Sequence, residues 1–219
     1  MTAAIYEDYD ITAKREWREN QIHVENTDSG LLAAQITAGA GTYFGEILAG
    51  TILALDSNGD LRPSAIAQAD GAVVTDNDIV LRDDLTLFVG DVVNILQADG
   101  TSIATGRTID AIDRGTKTIT ISGAAISMAD GDYVLVPNQW VPVGILHDQP
   151  ETRRLVNGSI VARNPHVTFG LEGNAREAQL IGLTDLTKQI LAGGLVTGIP
   201  SGFVTATYLQ PKIAGFLFW

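Results

Sequence analysis

The chain has 219 residues, 45% of them hydrophobic, enough for one large domain or two small ones and too apolar for wholesale disorder. Its 26 acidic against 14 basic side chains give a formal net charge of −12, a balance that repels nucleic-acid backbones. Cysteine is absent, which excludes disulfides, thiolate metal sites and cysteine nucleophiles.

Aromatics are scarce at 6%, whereas Gly, Ala, Thr, Val, Ile and Asp are plentiful. That mixture predicts short β-strands with tight turns, a mainly β fold of the β-rich α+β kind with helix as the minority element. The opening residues, MTAAIYEDYD, show no basic region followed by an apolar one, so they do not read as a secretory leader. Residues 1–36 read as an N-terminal arm. The stretch from Tyr6 to Asn26 is charged, lacks apolar periodicity and carries a lone Trp17. Two readings of it stay open: a segment that orders on a partner, or a short surface helix over Ala13–Asn20 anchored by Trp17.

From Gly45 the texture changes. Glu46–Leu55 reads as an extended buried segment, and Asp56-Ser57-Asn58-Gly59-Asp60 is a hairpin signal before a short return strand that stops at Pro63. Residues 73–140 have their own rhythm. Strands are expected at Ile79–Leu81, Leu85–Phe88, Val92–Gln97, Arg107–Asp113, Thr116–Ser122 and Tyr133–Val136. Turn formers separate them at Gly90-Asp91, Asp99-Gly100, Arg114-Gly115 and Asp130-Gly131, a spacing that predicts a small β-barrel. The unit holds ten Asp and no Glu against four basic residues, so its acidity is expected at strand ends and turns.

A second β region follows. Val141–Leu146 is a compact apolar strand, and Arg153–Val156 and Ser159–Ala162 flank Asn157-Gly158, the clearest two-residue hairpin in the chain. Leu180, Leu183, Leu186 (or Thr187) and Ile190 recur at helical spacing, predicting a helix over about Ala175–Leu191 that ends at Gly193-Gly194. The uncharged run from Gln189 to Pro211 is interrupted by Gly193-Gly194, Pro200, Ser201 and threonines, so no membrane span is expected. The tail is greasy, with Phe203, Tyr208, Phe216, Phe218 and Trp219, and points to an oligomer.

Catalytic and metal templates do not fit. His23, His147 and His166 sit in three segments without a local partner at metal-ligand spacing. The loop from Gly39 to Gly45 is one residue too long for a dinucleotide fingerprint and lacks the lysine of a triphosphate loop. Asp56-x-Asn58-x-Asp60 begins like a calcium loop, but Leu61 and Ala67 stand where Gly and Glu belong. No serine lies in a nucleophile elbow. The expectation is a non-enzyme without cofactor or metal.

The features outside 73–140 run in a telling order: Gly50-Thr51-Ile52-Leu53, the turn at Asn58-Gly59, Asp70-Gly71-Ala72, Pro142-Val143-Gly144-Ile145-Leu146, a hairpin region at Arg153–Arg163, then a helix and a glycine-punctuated strand over Gly193–Ile199. In this order the chain resembles the lambda-like head decoration family of tailed bacteriophages, with 73–140 as an insertion between the DGA-like and VGIL-like stretches. The resemblance implies a decoration core built from 37–72 and 141–199 with one helix, an inserted small β-barrel-like domain at 73–140, and a C-terminal extension at 200–219. It also implies a homotrimer on the outer surface of the virion capsid, with the major capsid protein as partner and neither nucleic acid nor membrane bound. Shell contacts are then expected from the arm, at Trp17, Ile22, Val24, Leu31, Leu32 and Ile36, and trimer contacts from Phe203, Tyr208, Phe216, Phe218 and Trp219. The competing expectations are a surface adhesion or carbohydrate-binding β module and another virion component such as a head–tail joining protein.

Overall fold

The computed structural model describes residues 18–31, 49–55, 61–83, 86–137, 139–147, 153–157, 159–162, 166–192 and 215–218. The protein is mainly β, as composition predicts. In chain order the strands are β1 (Arg18–Leu31), β2 (Ile52–Leu55), β3 (Leu61–Pro63), β4 (Ile66–Gln68), β5 (Val73–Asp76), β6 (Asp78–Val80), β7 (Val92–Leu96) and β8 (Ser102–Asp113). They continue with β9 (Thr118–Ile121), β10 (Ile126–Met128), β11 (Tyr133–Leu135), β12 (Pro142–Leu146), β13 (Arg153–Val156), β14 (Ser159–Ala162) and β15 (His166–Ala175). One helix, α1 (Asp185–Leu191), and β16 (Gly215–Phe218) complete the described elements.

Two six-stranded sheets carry the fold. The first has the order β1-β15-β12-β2-β3, with β16 also paired to β15; the second has the order β4-β11-β7-β8-β9-β6. The second sheet curls until its ends meet. Ala69 bridges Leu81 in antiparallel sense, the Asp70 N–H donates to Val80 O at 2.9 Å and the Arg82 N–H to Gln68 O at 2.9 Å. Its interior is filled by the chain's own side chains, among them Ile79, Val93, Ile95, Ile109, Ile119 and Val134, all at 0% exposure. Val73, Ile126 and Met128 of the small β5–β10 pair belong to the same cluster. This sheet takes in Ile66–Gln68, upstream of the boundary expected at 73, because β4 pairs β11 from Tyr133↔Gln68 to Leu135↔Ile66.

The walls of the curled sheet differ, and the sequence texture follows. On β9, Ile119 and Ile121 are buried while Thr118 and Thr120 are half-buried, the alternation of a strand with one wet face. On the β4-β11-β7 wall both faces are covered. Val134 points into the barrel, whereas Tyr133, Leu135, Ile66 and Leu96 pack with Trp140, Leu186 and Ile190 on the other side. A near-continuous apolar run such as Tyr133–Val136 is what double burial requires. Helix α1 is the wedge between the sheets. Its Leu186 and Ile190 face the barrel wall, and its Leu191 joins Ile52, Ile145, Ala175 and Leu180 of the first sheet's cluster.

The helix is shorter than its apolar spacing predicts. Glu177–Gln179 form a 3-10 turn, Leu180 leaves helical geometry, and Gly182 takes φ +79. Helical hydrogen bonding restarts only at Thr184, whose hydroxyl accepts from the Thr187 N–H while the Thr187 hydroxyl accepts from the Thr184 N–H. This capping box fixes the start at Asp185. The period through Leu180 therefore reports burial on two sides of a break, not one continuous helix.

Other expectations fare unevenly. The pairing of β2 with β3, from Leu53↔Pro63 to Leu55↔Leu61, is the expected hairpin ladder; its turn at 56–60 lies outside the described residues. Arg153–Val156 and Ser159–Ala162 pair as expected, with Asn157 at φ +49. Thr86–Phe88 do not form the expected strand, and β8 begins at Ser102, well before Arg107. Strands β4, β5, β10, β15 and β16 fall where the sequence predicts none. Residues 18–20 are strand, so no helix runs through Asn20; 13–17 lie outside the described residues.

Candidate binding surface at the chain ends

Strand β15 brings the two ends of the chain together. Strand β1 pairs along its whole length on one side, from Arg18↔Ala175 to Leu31↔His166, with four register shifts. On the other side β12 pairs at Ile145↔Gly170 and Leu146↔Phe169, and β16 then runs parallel from Glu172↔Gly215 to Ala175↔Phe218. Pairing with β15 on one edge, renewed after each register shift, explains why a segment without apolar periodicity, RENQIHVENTDSGL, is extended.

Of the expected shell-contact residues, Ile22, Val24 and Leu31 lie on β1, opposite Gly173, Glu172 and His166. Trp17, Leu32 and Ile36 lie outside the described residues. Of the expected trimer-contact residues, Phe216 and Phe218 lie on β16, opposite Gly173 and Ala175. Phe203, Tyr208 and Trp219 lie outside the described residues. Gly173 therefore neighbours Ile22 on one side and Phe216 on the other, so two sets expected to serve separate contacts share one strand. Among the described residues β1 pairs only with β15 and forms the outermost strand of its sheet.

The junction between the sheets is polar where α1 begins. Buried Gln68 donates to Asp185 Oδ2 at 3.1 Å and accepts from the Asp185 N–H at 3.1 Å, serving an orphan donor of the helix start. Arg82 reaches Asp130 at 3.3 Å and Asp185 at 3.7 Å, and Asp83 Oδ2 accepts from the Gly182 N–H at 2.8 Å. Burial, with the nearby Asp185 carboxylate, pushes the Tyr133 phenol up to about 12, so it remains a neutral member of this junction.

Three aspartates at turns or strand ends of the barrel clamp backbone donors, as their positions in the sequence suggest. Asp99 Oδ1 accepts from the Thr101 N–H, Asp113 Oδ1 from the Gly115 N–H, and Asp130 Oδ1 from the Gly71 N–H. These hydrogen bonds hold all three carboxyls below the usual carboxylate value. Their contribution to stability is present above that value and is lost as pH falls. Asp91 runs the other way. Burial pushes its carboxyl up despite the Phe88 N–H on Oδ2 and the nearby Arg62 and Arg114. Its folded state holds the proton more tightly than the unfolded chain does, so its contribution falls as pH rises through the interval between the two values. Asp91→Asn keeps an acceptor for Phe88 and removes the buried charge. The difference in unfolding free energy, variant minus native, is expected to grow from pH 3 to pH 7 in urea titrations. A flat or falling difference would refute this account of Asp91.

Half-buried His147 follows β12, whereas His23 and His166 belong to β1 and β15. Among the described residues, no group of three His, Asp or Glu side chains converges as a metal site, and no helix is long and apolar enough to cross a membrane. Comparison with known proteins finds no matching family model, no matching curated protein and no matching solved structure.

Proposed function

We propose that this chain is a structural decoration protein of a bacteriophage head, binding the outer surface of the mature capsid as a trimer and reinforcing the shell without chemistry. The motif order in the sequence suggests the class. The observation that supports it best is the placement of β1, a fourteen-residue strand with one edge on β15 and the other, among the described residues, outermost in its sheet. An outermost strand accepts a further extended segment through main-chain hydrogen bonds, and the shell protein supplies that segment. The arm thus acts from a docked position on its own sheet, not as a free tether. Three such edges on one trimer multiply weak contacts through effective concentration. A protein that binds only the expanded lattice stabilises that lattice by mass action.

The adhesion reading has less support. A sugar platform needs exposed rings, and Phe88, Tyr133 and Trp140, the aromatics of the 73–140 unit, are 5%, 5% and 2% exposed. The test is cosedimentation with expanded heads that lack the protein, beside unexpanded proheads. Saturable binding to expanded heads is expected, with at least a tenfold loss on deleting residues 1–31 from a chain whose circular dichroism stays β-rich. Binding to neither particle would end the capsid reading, and full affinity without residues 1–31 would end the role of β1.

A further inference from the structure

One side of β15 is completed by two separate segments. Strand β12 pairs with it at Phe169 and Gly170, and β16 takes over from Glu172 to Ala175 in parallel sense. Parallel strands are not joined by a tight turn and need a long crossover. Here the chain leaves β15, runs through α1 and then through residues 193–214, 22 in all, before β16 begins. Fully extended, 22 residues reach about 70 Å. A compact chain of this length has a radius of gyration of about 17 Å. The β15 of an adjacent copy is therefore within reach, as the chain's own is.

The pairing itself does not depend on which copy supplies β16. The register sets Glu172, Gly173, Asn174 and Ala175 against Gly215, Phe216, Leu217 and Phe218. A backbone ladder of this kind forms equally well with an identical strand from another chain. The strand's sequence, GFLF, has no polar side chain. Runs of that type suit strands covered on both faces, and aromatic residues are enriched where chains meet.

We propose that β16 is exchanged between copies, the Gly215–Phe218 strand of one copy completing the β15 edge of the next. Exchange of an identical element is a low-cost route to association, because each ladder is kept and only its owner changes. Passed head to tail, it closes into a ring when the rotation allows, a trimer included. This rests on the homo-oligomer of the reading above and names the element that builds it. It also links assembly to shell binding. The neighbour's strand completes one side of β15 while β1 lies on the other, so forming the ring steadies the strand on which β1 is docked.

The chain has no cysteine, so engineered thiols report the pairing without interference. Asn174 and Leu217 are register partners, and opposed residues on neighbouring strands fall within the Cα separation that a disulfide spans. Full-length N174C and L217C, carrying different tags, are refolded together and oxidised in air, both free and bound to expanded heads. Exchange predicts a disulfide joining the two variants. In N174C/L217C alone it predicts a shift from single chains to linked rings on non-reducing denaturing gels, three-membered on the reading above. Should Leu217→Cys fail to fold, E172C and G215C repeat the test two residues along the same ladder. A double variant that closes its disulfide within one chain, free and on heads alike, overturns exchange. A mixture that links only like variants, or links none, overturns it too. Linked rings that do not cosediment with expanded heads leave exchange standing and end the capsid reading. Single-chain disulfides in protein that does cosediment end exchange and leave the capsid reading standing.

Discussion

Trp140→Ala is expected to lower the unfolding free energy by about 3–5 kcal/mol, the range for truncating a large buried ring. The indole is 2% exposed and packs where the barrel wall meets α1, with Ile66, Leu96, Tyr133, Leu135, Leu186 and Ile190. The space is not closed by a small shift, because the wall is a sheet and α1 is held at its first residue by Gln68, while Asp83 accepts from the Gly182 N–H just before the helix. The Trp140 carbonyl accepts from buried Ser64 Oγ, and the Ala65 N–H donates to Gln139 O, so the backbone around the ring is also tied to the β3–β4 link. Trp140→Phe keeps most of the apolar volume and is expected to cost roughly half as much. Because α1 packs on the barrel wall through Leu186 and Ile190 and on the first sheet's cluster through Leu191, chemical denaturation of the native chain is expected to show a single transition by fluorescence and by circular dichroism. A loss below about 1 kcal/mol on Trp140→Ala would mean that the ring does not brace the barrel wall against α1.

That junction is also where sequence reading reached its limit. The barrel was legible because its strands alternate and its turns carry Asp-Gly and Gly-Asp pairs, as at Asp99-Gly100 and Gly90-Asp91. The hairpin at Asn157 was legible for the same local reason. What local signals do not encode is which element covers the second face of a strand. Ile66–Gln68 is three residues long, too short for a period, and becomes a strand only because Tyr133–Leu135 lies beside it. Strand β15 contains Gly170 and Gly173 and so looks broken, yet β1, β12 and β16 all pair along it. The arm's extended shape likewise comes from β15's backbone, not from RENQIHVENTDSGL itself. Long-range pairing supplied the strand in each case. At the candidate surface, sequence picked out residues at both ends of the chain but not that β15 would set Ile22 and Phe216 on either side of Gly173. Nothing in a linear pattern relates two segments nearly two hundred residues apart.

Asp132→Ala is expected to cost about 2–4 kcal/mol, although no apolar contact of note is lost, because a charged acceptor of two backbone donors disappears. Asp132 is 4% exposed, a low value for a carboxylate. Its Oδ1 accepts from the Ala98 N–H at 3.1 Å and its Oδ2 from the Ala129 N–H at 2.7 Å. Its own N–H donates to Ala129 O and its carbonyl accepts from the Ala69 N–H. One residue thus ties the β7–β8 turn, the β10–β11 turn and the end of β4, the point at which the curled sheet closes on Leu81. Water reaches the edges of Ala98 and Ala129, so the cost stays below that of two fully orphaned donors. Asp132→Asn retains one carbonyl acceptor and places an NH2 against the other N–H, so it is expected to fall between the native chain and Asp132→Ala. Hydrogen exchange gives the sharper readout. In Asp132→Ala, protection is expected to drop at Ala98, Ala129 and Ala69 together, while β2 and β12 of the other sheet keep theirs. Loss confined to Ala129 would reduce Asp132 to a local turn residue, whereas joint loss at all three marks it as the fastening of the barrel's closure.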